Sequence, residues 1–231
     1  MAAILNIETS STVCSTVIAK DGEIVFLKED LEGMNHAVKL APFVEEAISF
    51  CKEREIKLDA IAVSMGPGSY TGLRIGLSLA KGLAFSLSIP LIGISTLEIL
   101  AVRAMFSRYD WEGDEIIVPM VDARRMEVFT CALDFALNRI NEEQPLILDS
   151  DSFSELGLKR KVIFIGDGSE KFRDLYKHEN AIWMGVYKPH ARDMVTLAEK
   201  YFRESKFIDL AYSVPNYIKS YQTTVSKRKL I

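Results

Sequence analysis

The chain has 231 residues, 48% hydrophobic and 26% charged, with a formal net charge of −4. This length and composition exclude disordered and fibrous classes and leave room for one large core or two small ones. The acidic balance excludes whole-protein attraction to nucleic acid or an anionic membrane, although no acid follows Asp209 and Lys219, Lys227, Arg228 and Lys229 make the last residues basic. That tail reads either as a solvated terminus or as a phosphate contact to RNA.

Three strand-like runs come first: Ala3–Thr9, Val13–Lys20 and Glu23–Leu31, the last two joined by the hairpin signal Asp21-Gly22. A helical pattern runs from Asn35, an N-cap residue type, to about Arg54. A buried strand (Ala60–Met65), a glycine-rich loop, a helix (Gly72–Leu87), a strand (Leu91–Ser95) and a helix to about Ser107 complete the order βββαβαβα. The stretch Ile75–Ile94 is mostly apolar. Lys81 lies within it, Pro90 breaks it, and Arg74 and Glu98 flank it, so it reads as helix then buried strand and not as a membrane span. Cys14, Cys51 and Cys131 are odd in number and sit in apolar patterns, and the N-terminus has no basic n-region or cleavage site. The expectation is a cytoplasmic protein with reduced, buried thiols.

The polar break Tyr109–Asp114 predicts a boundary between an N-terminal part, 1–108, and a C-terminal part, 115–231. Beyond it strands are expected over Glu115–Asp122, Glu127–Phe135 and Ile140–Asp149, then a short helix near Ser152–Leu156. Strand Lys161–Gly166, helix Ser169–Lys177, strand Ala181–Gly185 and helix Ala191–Glu204 follow. The order βββαβαβα recurs, which predicts a duplicated α/β fold with mixed sheets and a cleft between its halves.

The loop Gly66-Pro67-Gly68-Ser69-Tyr70-Thr71-Gly72 lies between a buried strand and a helix start. Unpaired amides and the helix dipole there could hold an anion. It equally suits a tight connection capped by Ser69 or Thr71. It is neither a Walker loop, lacking a closing Gly-Lys-Ser/Thr, nor the dinucleotide fingerprint, since Thr71 stands at the third glycine. His36, His178 and His190 are isolated and form no metal-ligand spacing, and no base accompanies Ser10, Ser11 or Ser69.

The helix Gly72–Leu87 has an apolar arc of roughly 200°, about twice that of a one-sided core helix. The arc divides into one line of Ile75, Leu79 and Leu83 and another of Leu73, Leu77, Ala80 and Ala84. Either both lines are sandwiched inside the fold or one faces a partner helix, in which case the small residues at Gly76, Ala80 and Ala84 favour the second line as the contact. The helix from Asn35 has a similarly broad arc, with Ala41, Val44 and Ile48 as further contact residues.

Ile7-Glu8-Thr9-Ser10-Ser11 and the loop-helix from Gly66 through Ala84 closely resemble the TsaB (YeaZ) family. Pro119-Met120-Val121-Asp122-Ala123-Arg124-Arg125 and Gly166-Asp167-Gly168 are also similar to it. The likeness is dense over the first hundred residues and patchy afterwards. It implies an actin-like ATPase (ASKHA, ribonuclease H-like) fold. It also implies a non-catalytic role in making threonylcarbamoyladenosine beside the tRNA anticodon. The implied partners are a catalytic TsaD-like subunit, a TsaE-like ATPase and tRNA through the complex, with a homodimer when alone and no membrane.

Glu8 departs from the family, which commonly has Asp there; Ile-Glu-Thr-Ser is instead what TsaD-like proteins tend to show. TsaD-like proteins also carry a His-x-x-x-His metal pair where this chain has Thr96 and Leu100, and neither residue replaces histidine as a ligand. That disfavours a metal-dependent glycoprotease. Kinases of this fold need a glycine turn after the first acid and another after the second. Here Thr9-Ser10 follow Glu8, and Ala123, Arg124 and Arg125 follow Asp122, which disfavours a small-molecule kinase. No cofactor is expected; Gly66, Gly68, Gly166 and Gly168 are the candidates for weak nucleotide binding.

Overall fold

The computed structural model describes residues 2–33 and 35–218; the basic residues from Lys219 onward lie outside them. Its first half runs β1 (Ala3–Glu8), β2 (Cys14–Lys20), β3 (Glu23–Asp30), α1 (His36–Glu53), β4 (Ala60–Gly66), α2 (Tyr70–Leu87), β5 (Leu91–Ser95) and α3 (Thr96–Met105). These strands form one five-stranded sheet in the order β3-β2-β1-β4-β5. The β1–β2 and β2–β3 pairs are antiparallel, and β4 and β5 continue parallel to β1. Every residue of β1 is buried, because helices cover both faces of this sheet. Leu5, Ile7, Ile61 and Val63 face α1 and α2, whereas Ile4, Ala62, Ile92 and Ile94 face the opposite layer.

The second half repeats the topology with β6 (Ile116–Asp122), β7 (Glu127–Thr130), β8 (Gln144–Ile147), α4 (Ser154–Gly157), β9 (Val162–Ile165) and β10 (Ala181–Trp183). Its sheet order, β10-β9-β6-β7-β8, mirrors that of the first. The expected strands over 127–135 and 140–149 are shorter than predicted, and the helix expected over 169–177 is a single 3-10 turn, Glu170–Phe172. Aromatic bulk explains the lost helix. Phe153, Phe164, Phe172, Tyr176 and Trp183 interlock with ring centroids 4.6 to 5.9 Å apart. They fill the layer that a helix would otherwise cover.

A 3-10 turn at Ala191–Met194 leads into α5 (Val195–Arg203). Although α5 comes after the polar break, Met194, Leu197, Ala198 and Tyr201 pack on the first sheet with Ile4 and Ile92. The last helix therefore belongs to the first core. Helix α3 is wedged between the sheets. Ile99 and Val102 meet the first sheet, while Leu97, Leu100, Ala101 and Ala104 meet Ile117, Ile163 and Ile165 of the second. Its start is fixed by a capping box, with Ser95 Oγ accepting from Leu97 N and Glu98 accepting from Ser95 N. At α1, by contrast, Asn35 occupies the cap position without capping; its Nδ2 donates to Asp30 instead, at 3.2 Å.

Among the described residues, no helix is long and apolar enough to cross a membrane. Cys14, Cys51 and Cys131 are buried free thiols.

Candidate functional site

The ends of β1, β4 and β6 converge on a cleft of about 420 Å³ between the two sheets. Ser10, Ser11 and Thr12 from the β1–β2 turn and Gly68 to Thr71 from the start of α2 form one wall. Asp122, Arg124 and Asp167 form the other, and Thr96 and Leu100 of α3 line it as well. Lys188 spans the cleft, its Nζ donating to Thr12 Oγ1 at 2.7 Å.

Where this architecture could receive a phosphate, the backbone amides are already bonded within the chain. Ser10 N donates to Glu8 at 2.5 Å, Ser69 N to Ser10 O at 2.6 Å, and Gly72 N to Ser69 Oγ at 3.2 Å. On the other wall Asp122 N donates to Asp167 at 2.8 Å, Arg124 N to Asp122 at 3.0 Å, and Gly168 N to Met120 O at 3.0 Å. Three of the acceptors are carboxylates. A phosphate would have to displace these carboxyl groups from the amides and would meet repulsion from any that is ionised. Arg124 and Arg125 hold the β6–β7 turn at φ 70° and 53°, in the left-handed region that a glycine would occupy without strain. Lys171 clamps the same turn, pairing with Asp122 and donating to Arg125 O.

Glu8 is wholly buried, and one of its oxygens has no hydrogen-bond partner. Burial pushes its carboxyl up to about 7, against the opposing pull of Ser10 and Ser64. Those hydroxyls temper the charge from nearby, yet the amide of Ser10 is its one well-formed donor. Burial also raises Asp167 above the usual carboxylate range. The hydroxyls of Ser10 and Thr96 line the cleft with no partner. His36 contacts the Ser11 carbonyl, and no serine hydroxyl, through Nε2 at 2.8 Å. His190 pairs with Glu29 through Nδ1 at 3.2 Å.

The glycines serve packing. A Cβ on Gly68 would stand 2.2 Å from Ser10 O, on Gly166 2.2 Å from Met120 O, on Gly66 2.9 Å from Leu73 Cδ1, and on Gly168 2.8 Å from Val128 Cγ1. On the side where a Cβ would stand, each of these four candidate nucleotide contacts therefore meets the chain itself. Gly72 and Gly76 admit the β1–β2 turn in the same way, with Thr9 O and Thr9 Oγ1 at 2.1 and 2.3 Å from the added carbon. Gly72→Ala and Gly76→Ala should each cost about 1–3 kcal/mol by overpacking, despite alanine's better helix propensity. Gly82→Ala, with open space around it, should instead gain about 0.5–1 kcal/mol. Urea unfolding of the three variants checks this.

The two apolar lines of α2 are reversed relative to the expectation from small residues. Leu73, Gly76, Leu77, Ala80 and Ala84 are buried in the chain's own core, against the first sheet and the β1–β2 turn. Ile75, Leu79 and Leu83 are the half-buried line. Small side chains permit close approach by any backbone, and here the approaching backbone is the chain's own. On α1, Val44 is likewise core, Ile48 is half-buried and Ala41 is exposed. The face of α2 open to solvent carries Thr71, Arg74, Ser78, Gly82 and Phe85, the phenyl ring 78% exposed.

One cluster had no signal in the sequence. The segment after α5 adds Ile208 to the edge strand β5, its amide donating to Leu91 O at 2.9 Å. It then follows α2 back to the cleft. Lys81 Nζ holds Ala211 O and Ser213 O at 3.2 and 2.7 Å, Asn216 N donates to Met65 O at 2.6 Å, and Tyr217 stacks on Tyr70 at 5.1 Å. Asn216 also reaches Glu143, which accepts from Ser95 Oγ at 2.5 Å and so ties the second half to the first.

Two sheets of like order, each carrying the antiparallel-then-parallel pattern and facing across a cleft, define the actin-like ATPase (ASKHA) class of fold. The family model described as TsaD, tRNA N6-adenosine threonylcarbamoyltransferase, matches residues 31–229. The Escherichia coli protein named tRNA threonylcarbamoyladenosine biosynthesis protein TsaB is 29% identical, with 94% of each chain covered. A protein of the same name from Buchnera aphidicola of Schizaphis graminum is 32% identical over 83% of this chain and 90% of its own. A solved Pseudomonas aeruginosa structure described as similar to the peptidase YeaZ shares the fold, with TM-score 0.81, 24% identity, and 95% and 100% of the two chains covered. The chain belongs to the TsaB family, within the wider group that the threonylcarbamoyltransferase model describes.

Proposed function

We propose that this chain is a non-catalytic subunit in the biosynthesis of N6-threonylcarbamoyladenosine on tRNA. In this reading it docks onto a TsaD-like catalytic subunit, supports assembly with a TsaE-like ATPase, and meets tRNA only through the complex, in the cytoplasm. The carrying observation is the cleft, whose turn amides are bonded to the chain's own acceptors, three of them carboxylates. A site so filled offers neither a phosphate cradle nor, with Thr96 and Leu100 at the expected ligand positions, a metal donor pair. Among the described residues no group of histidine, cysteine and acid side chains converges as a metal site.

The open face of α2 is the docking surface for the TsaD-like subunit in this reading. Gly82→Glu tests it. Glutamate is the better helix former by roughly 0.5 kcal/mol, so the variant should fold at least as well as the parent. It should nonetheless fail to co-purify with the TsaD-like subunit of the same source or to support tRNA modification in the reconstituted system. Normal association and modification by a folded Gly82→Glu variant would refute the docking role. Transfer activity of the pure chain alone, abolished by chelation, would refute the non-catalytic one. Removal of Ser226–Ile231, outside the described residues, should leave the melting temperature unchanged. If the tail touches RNA, the truncation should flatten the salt dependence of tRNA binding by the complex.

A further inference from the structure

Helix α2 carries two charged residues, Arg74 and Lys81, both basic, on a chain of net charge −4. Lys81 is engaged with the carbonyls of Ala211 and Ser213. Arg74 is exposed, yet it is held in place. Its Nε donates to Tyr217 Oη at 2.9 Å, and its guanidinium carbon lies 4.1 Å from the Tyr70 ring centre and 5.8 Å from that of Tyr217. No carboxylate pairs with it among the described residues. An exposed arginine ordinarily loses rotamer freedom when it binds; this one has already been ordered by two rings and a hydroxyl. Arginine and tyrosine are also, with tryptophan, the residue types enriched among the side chains that dominate interface energy.

We propose that Arg74, clamped by Tyr70 and Tyr217, is the electrostatic anchor of the docking face and selects a partner helix that presents a carboxylate. The inference rests on the docking role of α2. Phe85 stands eleven residues beyond Arg74, about 16 Å along the helix. The fitting partner therefore carries its acid roughly three turns from a bulky apolar contact. A second copy of this chain presenting its own α2 would set Arg74 and Lys81 against the same two cations. Charge complementarity accordingly favours an acidic helix on the catalytic relative. Tyr217 is a positioning residue: it touches the partner little and holds the guanidinium in the conformation the carboxylate meets.

The test is titration calorimetry of the full chain against the TsaD-like subunit of the same source, across a sodium chloride series, with each variant's melting temperature recorded. Arg74→Ala should weaken binding roughly 30- to 100-fold and flatten the salt dependence. Arg74→Lys, which keeps the charge but loses the planar fork, should lose about 10-fold. Tyr217→Phe should lose about 3- to 5-fold through a faster off-rate. Binding by folded Arg74→Ala within twofold of the parent, while Gly82→Glu abolishes it, would overturn the anchor and leave the docking face standing. A loss with an unchanged salt slope would overturn it too, since Arg74 would then contribute packing and not charge. Undiminished binding by Gly82→Glu would remove the docking reading itself.

Discussion

Ala80→Glu is expected to leave no cooperatively folded monomer, whereas Ser78→Glu, two residues away, should melt within about 0.5 kcal/mol of the parent. Ala80 is 0% exposed and lies in the core between α2 and the first sheet. A glutamate there would bury a charge with no partner, at roughly 3–5 kcal/mol, and overpack the site by another 1–3 kcal/mol. Against a total stability of about 5–15 kcal/mol the sum is disabling. Ser78 faces solvent, so its substitution meets neither penalty. Urea titration followed by circular dichroism separates the two. A normally folded Ala80→Glu variant would mean that α2 turns its other face to the sheet.

Glu8→Gln should stabilise the protein at alkaline pH and do nothing at acid pH. The Glu8 carboxyl is raised from 4.5 to about 7 in the fold. Between those values the folded chain holds a proton that the unfolded chain has released, so this group's contribution falls as pH rises through the window. Below about pH 4 both states are protonated and no penalty exists. Above pH 7 the full cost of a buried charge applies, on the order of 3 kcal/mol. Glutamine is neutral throughout, and its amide oxygen can still accept from Ser10 N. Its advantage should therefore grow from near zero at pH 4 to about 2–3 kcal/mol at pH 8, a shift of several degrees in melting temperature. Comparing the variant with its parent at each pH cancels the other titrating groups. An advantage that is constant across this range, or none at pH 8, would show that Glu8 stays ionised in the fold.

The first half of the chain was legible because its strands are buried on both faces and its hairpin carries Asp-Gly. Both features act within a few residues. In the second half the helix expected over 169–177 gave way to a cluster of five aromatic residues drawn from four separate segments, a packing solution that no local period encodes. The orientation of α2 was illegible for a different reason. Gly76 and Ala80 announce a close approach without saying whose backbone approaches, and the answer, the Thr9 turn, lies more than sixty residues away. The clamp on Arg74 joins residues separated by 143 positions, and nothing around either tyrosine distinguishes it from a surface ring. Glu8 was visible as a departure from its family, but its proton affinity follows from a burial that only the folded sheet creates.

Helix α3 has a mechanical consequence. Its buried residues belong partly to one sheet and partly to the other, so a hinge between the halves would have to pull Leu97, Leu100, Ala101 and Ala104 off Ile117, Ile163 and Ile165. Each large aliphatic side chain uncovered would cost about 1.5–3 kcal/mol, which makes an opened form a minor state. The two halves are thus expected to keep a fixed span, as a bracket does. In the docking reading, a partner on α2 would meet a bearing held at a set distance from the second sheet by α3.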